Sequence, residues 1–456
     1  LEEIKPHVLS EEEIDRMLSE VKEQEINDAK IRSLTPLKQL ILYEGTPGGA
    51  TVRDVQGNEY LDCTAQAWTL GLGYVHPDVI FAALTQMRRL THVRYAIPTI
   101  PRIKLINRLT EILGFERVSF NNAGGGMAVE AAMKLALINR PGARSFITYW
   151  RAYHGNSLAL IGGASHPAPT LIRFEGFGSG RFIKVPFPYC YRCPLKQRHP
   201  ACSLMCLDIV KKTIENSTDM KVAGLIIEPI QGSGGQVPVP PGYLKELKQL
   251  CDSNQILLIY DEAQTAFGRV GRWSAAELYG VKPDIMALTK TLGGGFPIGA
   301  TLAREELKGF TPAEEHTTFG SNPIMFAAAL VNLEIIRKLD LPKRAEVLGK
   351  YITKRLKELQ DRYEIIGDVR GPGLFIGIEF VKDRKTKEPA DKETEEFIVE
   401  SFKRGVLFER SMPSFIKGSA TMQNVLKIKP PLIITEEQVE RMLNVFDECI
   451  KLVAKK

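Results

Sequence analysis

Residues 285–300 read IMALTKTLGGGFPIGA, and this stretch decides the fold. The apolar run Ile285-Met286-Ala287-Leu288 predicts a buried strand, and a second strand-like run opens near Ile298. Between them stand Lys290 and three consecutive glycines, Gly293 to Gly295. A cation beside a buried strand is costly unless it is paired, neutral or covalently engaged. Taken alone, the stretch also admits a plainer account: a lysine whose stem covers the strand end while its head reaches water.

Working outward, the run Ile256-Leu257-Leu258-Ile259 predicts another strand, with Asp261 at its tip. Further candidates at 145–149, 222–228 and 299–303 alternate with helical patterns at 128–139 and 243–254. Strand and helix in alternation point to an α/β fold with a large, mostly parallel sheet. Functional side chains then gather at the carboxyl ends of the strands, where both Asp261 and Lys290 fall. The two chain ends read differently. Extended pieces at 51–54 and 59–62 open the chain, and a charged helix pattern at 345–363, strands at 373–381 and 425–428, and a helix at 436–453 close it. The expected division is 1–75 and 336–456 as a smaller α+β domain around a large domain at 76–335. Residues 9–30 predict one charged amphipathic helix with a capping box opening at Ser10.

With 456 residues, 44% of them apolar and 25% charged, the chain has the balance of a globular protein of more than one domain. Its net charge of +6 is spread along the chain, which predicts neither nucleic acid nor membrane as a partner. No stretch approaches the roughly 20 apolar residues of a membrane helix, and no signal peptide is legible, so a cytoplasmic location is expected. Seven cysteines do not make a disulfide scaffold. Four of them cluster as Cys190, Cys193, Cys202 and Cys206 in CYRCPLKQRHPACSLMC, close to the spacing of structural zinc sites. Reduced thiols in a surface insertion are the other reading.

Asp261 alone reads as a helix cap. Paired with a lysine at a neighbouring strand end, it suits pyridoxal 5′-phosphate chemistry. The lysine forms a Schiff base with the aldehyde, and the carboxylate keeps the pyridine nitrogen protonated, so that the ring accepts electrons. The whole segment then resembles the signature of class III (subgroup II) aminotransferases, a fold-type I branch of the pyridoxal-phosphate enzymes. The resemblance runs from about Pro36 to Leu452. It includes GYVHPDV at 73–79, YHG at 153–155, IIEPIQG at 226–232 and DEAQTAFGR at 261–269. It continues through TKTLGGGFPIGA at 289–300, TTFGSNP at 317–323, VRGPGLFIGIE at 369–379 and KPPLIIT at 429–435.

The resemblance implies a fold-type I architecture with a seven-stranded sheet, and a role for each matched residue. Lys290 would be the covalent anchor and proton carrier, and Asp261 the partner of the pyridinium nitrogen. Gln264 would bond the ring's 3′ oxygen, and Tyr153, beside His154, would stack on the ring. Gly124, Gly125 and Gly126, opening a helix, would receive the phosphate, with Thr318 reaching across from a neighbouring subunit. A homodimer with shared active sites follows, or a tetramer of such dimers. Two departures stand out. Where relatives carry Ser-Gly-Ser/Thr-Glu, this chain has Gly124-Gly125-Gly126-Met127, so hydroxyl donors to the phosphate are lost. Where many relatives place a carboxylate-clamping arginine, this chain has Lys427, a point charge without the bidentate fork.

Lys427 therefore reads either as a substrate contact or as a solvated strand-end lysine. Glu228 reads either as a substrate-side carboxylate or as a buried structural acid. Trp68 is expected to line the substrate pocket. The expected activity is transfer of an amino group from an amine or an ω- or β-amino compound to 2-oxoglutarate or pyruvate. A racemase or epimerase using the same cofactor is the alternative. A nicotinamide-dependent oxidoreductase is disfavoured, because the glycine triplet lacks G-x-G-x-x-G spacing and Lys290 has no part in it.

Overall fold

The computed structural model describes residues 8–95, 97–122, 124–161, 181–219, 221–411 and 422–454. Its centre is a seven-stranded sheet. Its strands, numbered here in chain order, are β1 (Arg117–Asn121), β2 (Ser145–Tyr149), β3 (Phe182–Val185), β4 (Val222–Ile227), β5 (Leu257–Asp261), β6 (Ile285–Leu288) and β7 (Gly299–Ala303). Their spatial order is β1-β7-β6-β5-β4-β2-β3. β6, β5, β4, β2 and β3 pair in parallel, while β7 runs antiparallel to both β6 and β1. One reversed strand in an otherwise parallel sheet is the fold-type I arrangement.

The strands read as near-continuous apolar runs because helices cover both faces. Leu258 and Ile259 of β5 point to opposite faces and have no solvent exposure. Each contributes roughly 2 kcal/mol by leaving water. On one face the helix Gly125–Asn139 packs through Ala128, Ala132 and Leu135 against Ile226, Ile259 and Ala287. On the other, Leu258, Tyr260 and Met286 join the main core with residues from Met205–Ser217 and Tyr243–Ser253.

The chain ends build two smaller sheets. Leu42–Gly45, Thr51–Asp54 and Glu59–Asp62 form an antiparallel set, and Val406–Leu407 pairs in parallel with Glu59–Asp62 at its edge. Ile366–Arg370, Ile376–Phe380, Val425–Ile428 and Glu409–Arg410 form the second, antiparallel throughout. The helix Glu436–Val453 closes the chain over the expected residues, with Thr435 and Gln438 as a capping box.

The single helix expected over 9–30 is two helices, Glu11–Ser19 and Glu23–Arg32. The capping box at Ser10 is present: Glu13 N–H donates to Ser10 Oγ at 3.1 Å and Ser10 N–H donates to Glu13 Oε2 at 2.7 Å. Lys22 N–H donates to Glu25 Oε2 at 2.8 Å and starts the second helix. Neither helix buries a side chain, so no tertiary packing holds the junction helical.

Candidate active site

The strand order sets β6, β5, β4 and β2 side by side, so the residues following their carboxyl ends converge. β6 delivers Lys290, β5 ends on Asp261, β4 is followed by Glu228, and β2 leads to Tyr153 and His154. All five line one cavity of about 580 Å³, together with Trp68, Gln264, Gly125, Gly126 and Lys427. That volume accommodates a small cofactor and a substrate together.

Lys290 sits in a left-handed backbone conformation, φ +53°, at the start of a short 3-10 turn. Enclosure by protein pushes its ammonium down to about 8, while the carboxylates of Asp261 and Glu228 hold it from falling further. Lys290 is only partly exposed, and its Nζ stands 4.2 Å from the Trp68 ring centroid inside the cavity, so the plain snorkelling account does not apply.

Asp261 is buried, and both its oxygens are fixed. Oδ2 lies 2.8 Å from His154 Nδ1, and Oδ1 accepts the Ala263 N–H at 3.1 Å. Its sequence neighbour Glu262 serves another purpose. Fully buried, it accepts the N–H groups of Ala275 and Ala276 and the Thr265 hydroxyl, each at 2.7 Å. Burial pushes its carboxyl up to about 7 against those bonds. Adjacent residues leaving a strand face opposite ways, so one acid enters the cavity and the other caps the helix Ala275–Tyr279.

Gln264 is buried in the cavity wall, and its Oε1 has no hydrogen-bond partner among the described residues. It lies so close to Gly232 that a Cβ there would come 2.1 Å from that oxygen. A buried amide facing a cavity can turn to present its oxygen or its NH2 to a bound group.

The helix Gly125–Asn139 starts at the cavity edge, with Gly124 at φ +80° as its cap. A Cβ on Gly125 would stand 2.9 Å from Thr289 Cγ2, and one on Gly155 would stand 2.6 Å from Gly126 Cα. A side-chain methyl thus crowds Gly125 and the Gly126 backbone crowds Gly155, whereas at Gly124 it is the left-handed backbone, φ +80°, that disfavours a side chain. The first-turn N–H groups and the positive end of the helix dipole are what remain for an anion. Ser157 and Asn156 also border the cavity and were not singled out from the sequence. The Ser157 hydroxyl is engaged with Glu130.

Trp68 is carried by a left-handed turn: Ala65, Gln66, Ala67 and Trp68 all have φ between +45° and +71°. Such a run costs roughly 1–2 kcal/mol per residue. It is held by Asp62, whose Oδ1 accepts the Thr64 N–H at 2.7 Å and whose Oδ2 accepts the Tyr74 hydroxyl at 2.8 Å. Thr291 also donates to the Trp68 carbonyl at 3.0 Å. The indole then meets three lysine side chains, with Nζ of Lys290, Lys427 and Lys429 at 4.2, 4.9 and 3.1 Å from its ring centroid.

The solvated reading of Lys427 is wrong: only 1% of the residue is exposed. Val425–Ile428 pairs with Glu409–Arg410 so that Glu409 faces Lys427, and the strand's alternation sends Lys429 to the same side. Glu409 bonds Lys429 at 2.7 Å and stands 3.6 Å from Lys427. Burial pushes both lysines down, Lys429 furthest. Against burial, the two lysines draw Glu409 down to about 2. Lys429 and Glu409 were missed from the sequence, although the alternating Lys-Ile-Lys at 427–429 carried the signal for the first.

Glu228 is buried and accepts two backbone N–H groups, from Tyr153 at 3.0 Å and Gly232 at 2.8 Å. Burial pushes it up to about 7. These bonds favour the structural-acid reading while leaving the residue on the cavity wall. Thr318 is exposed and is not on the wall of this cavity, and the four clustered cysteines line a separate, smaller one.

The chain matches the model of the class III aminotransferase family over residues 37–450. It is 36% identical to a leucine/methionine racemase of Thermococcus litoralis, over 88% of each chain. It is 35% identical to an acetylornithine aminotransferase of Methanosarcina mazei, over 90% of this chain and 91% of that one. Among solved structures, a Bacillus anthracis aminotransferase superposes with a TM-score of 0.85 at 29% identity, covering 98% of this chain and all of the other. An amine transaminase from an uncultivated Pseudomonas species, solved with pyridoxal 5′-phosphate bound, superposes with a TM-score of 0.83 at 28% identity, over 91% and 95% of the two chains. That cofactor fits what the cavity offers: an amine of depressed basicity, a fixed carboxylate, an unpaired amide oxygen and a glycine-built helix start. With its fold, its strand-end lysine and its match over most of its length, the chain belongs to the class III aminotransferase family.

Proposed function

We propose that the protein is a pyridoxal-phosphate-dependent aminotransferase that moves an amino group from an amine or an ω- or β-amino compound to a keto acid, 2-oxoglutarate or pyruvate. The convergence of Lys290 and Asp261 at neighbouring strand ends carries this reading. When bound, the cofactor supplies an aldehyde and a ring that draws electrons from the substrate carbon. Lys290 would hold it covalently and, once freed, would be the group placed to take a proton from the substrate carbon. A neutral amine does that work, and enclosure favours one. Asp261, steadied by His154 and the Ala263 N–H, would serve the pyridine nitrogen. Tyr153 would pack on the ring, Gln264 would bond its oxygen substituent, and the N–H groups at Gly124–Gly126 would receive the phosphate.

Trp68, Glu228 and Lys427 border the space left for substrate. Lys427, on the cavity wall and 3.6 Å from Glu409, is the residue placed to meet the acid group of a keto-acid acceptor. Thr318, exposed on this chain, suits a role toward the phosphate of a partner subunit in a homodimer. We assign residues 76–335 to the cofactor-binding domain and 1–75 with 336–456 to the smaller one, since the minor sheets draw on both chain ends. Seven free thiols suit a reducing cytoplasm.

Racemisation is the second reading, favoured by the 36% identity to the Thermococcus racemase. A half-reaction separates the two. Holoenzyme without keto acid is mixed with L- and D-alanine, β-alanine, 4-aminobutyrate, ornithine or 1-phenylethylamine. Stoichiometric pyridoxamine phosphate and carbonyl product are expected. Exchange of the α-hydrogen with inversion and no pyridoxamine phosphate would identify a racemase.

A further inference from the structure

We propose that Cys190, Cys193, Cys202 and Cys206 form a structural zinc site, one ion held by four thiolates. The four residues come from a single stretch of chain, and all four line one cavity of about 20 Å³. That space holds a single small ion or a water molecule and excludes any organic ligand. None of the four is disulfide-bonded. Among the described residues no three such side chains already stand in metal-ligand geometry. Closure onto an ion therefore needs thiol rotation about the Cα–Cβ bonds, on a backbone that has already gathered the four positions. Cys190 is exposed and opens a path of entry, while Cys206 is buried.

The surrounding segment has little regular structure of its own. Between Phe187 and the helix Met205–Ser217 it has one short 3-10 turn, Cys190–Arg192, and three non-glycine residues in left-handed conformation: Lys196, Ser203 and Leu204. A stretch with so little regular structure is where natural folds use a cross-link or a metal. It also has a task. Tyr189 and Arg192 bond the buried Glu379, and the Lys387 ammonium reaches the Tyr191 carbonyl, so the segment is seated on the sheet formed by Ile366–Arg370 and Ile376–Phe380.

Chemistry selects the ion. Four cysteine sulfurs, with the His199 ring beside them and no carboxylate on the cavity wall, favour a soft, tetrahedral metal over magnesium or calcium. Four protein ligands leave no open position, which is the pattern of a structural rather than a catalytic centre. Binding displaces the thiol protons to solvent and leaves a dianionic centre, in a segment that carries Arg192, Lys196 and Arg198.

The test is metal analysis of the intact holoenzyme, purified under reducing conditions without chelator. One zinc per chain is expected, lost in Cys193→Ser/Cys202→Ser and retained in Cys251→Ser, a buried cysteine elsewhere in the core. Cobalt exchanged into the wild-type protein should give the visible bands of tetrahedral thiolate coordination, a readout independent of whether the variant folds. A chelator should lower the melting temperature of the wild type and leave that of the double variant unmoved. Absence of metal with four titratable thiols, disulfides found by mass after thiol blocking, or zinc that persists in the double variant would each overturn the site.

Discussion

His154 Nδ1 stands 2.8 Å from Asp261 Oδ2, with both side chains buried, so a residue that follows β2 aligns the carboxylate that ends β5. Removing the imidazole leaves a buried carboxylate short of one charge-assisted hydrogen bond, worth about 1.5–3 kcal/mol. His154→Ala is expected to slow the single-turnover half-reaction about 10- to 100-fold while leaving the covalent adduct at Lys290 intact. Asp261→Ala should cost more. Equal rates for wild type and His154→Ala would show that the Ala263 N–H alone suffices to orient the acid.

The depressed basicity of Lys290 sets a pH window. A neutral amine attacks an aldehyde, and with its value near 8 instead of 10.5 the neutral fraction is substantial at physiological pH. Capture of pyridoxal 5′-phosphate by apoenzyme should accelerate about tenfold per pH unit below about 8 and level off above it. Stopped-flow absorbance follows the rate. Lys290→Ala should leave no adduct that borohydride can fix.

Gly125 is required by its neighbour rather than by its own backbone. Overpacking against Thr289 Cγ2 is expected to cost about 1–2 kcal/mol, so Gly125→Ala should weaken cofactor retention roughly tenfold. Thr289→Ser removes the offending methyl and keeps the hydroxyl that donates to the Ile298 carbonyl at 2.7 Å. The double variant should regain most of the loss, as measured by cofactor release on dilution. No recovery would mean that the helix start itself has shifted.

Glu262 holds three donors together and touches no substrate. Glu262→Ala should destabilise the fold by about 3 kcal/mol or more, with little change in the chemistry that survives. Its carboxyl is raised in the folded state to about 7, so the native protein keeps that proton longer than the unfolded chain. The stability it contributes is complete below about 4.5 and falls away as pH rises through about 7. Denaturant melts of the two proteins across that range should show their gap narrowing.

Much of the catalytic frame was legible because apolar runs ending in Asp261 and before Lys290 have one economical placement, at the tips of adjacent parallel strands. The helix at 436–453 was equally plain, since Thr435 and Gln438 cap a sustained apolar stripe. Other features depend on contacts remote in sequence. Ala65-Gln66-Ala67-Trp68 favours an ordinary helix locally, and its left-handed form is imposed by Asp62, Tyr74 and Thr291. The burial of Lys427 depends on Glu409 across a two-residue strand that no local pattern announces. At the N-terminus, charge and periodicity suggested one helix, but with no core beneath it the junction at 20–22 fell to local capping.

The parallel pairing of Val406–Leu407 with Glu59–Asp62 has a consequence during synthesis. The strands Leu42–Gly45, Thr51–Asp54 and Glu59–Asp62 are made before the central sheet and wait, the Glu59–Asp62 edge unpaired, while that sheet is made. An unpaired strand edge is a template for the wrong neighbour, including another nascent copy. That edge of Glu59–Asp62 is covered only when Val406–Leu407 emerges, so a segment translated after the whole central sheet protects strands made before it.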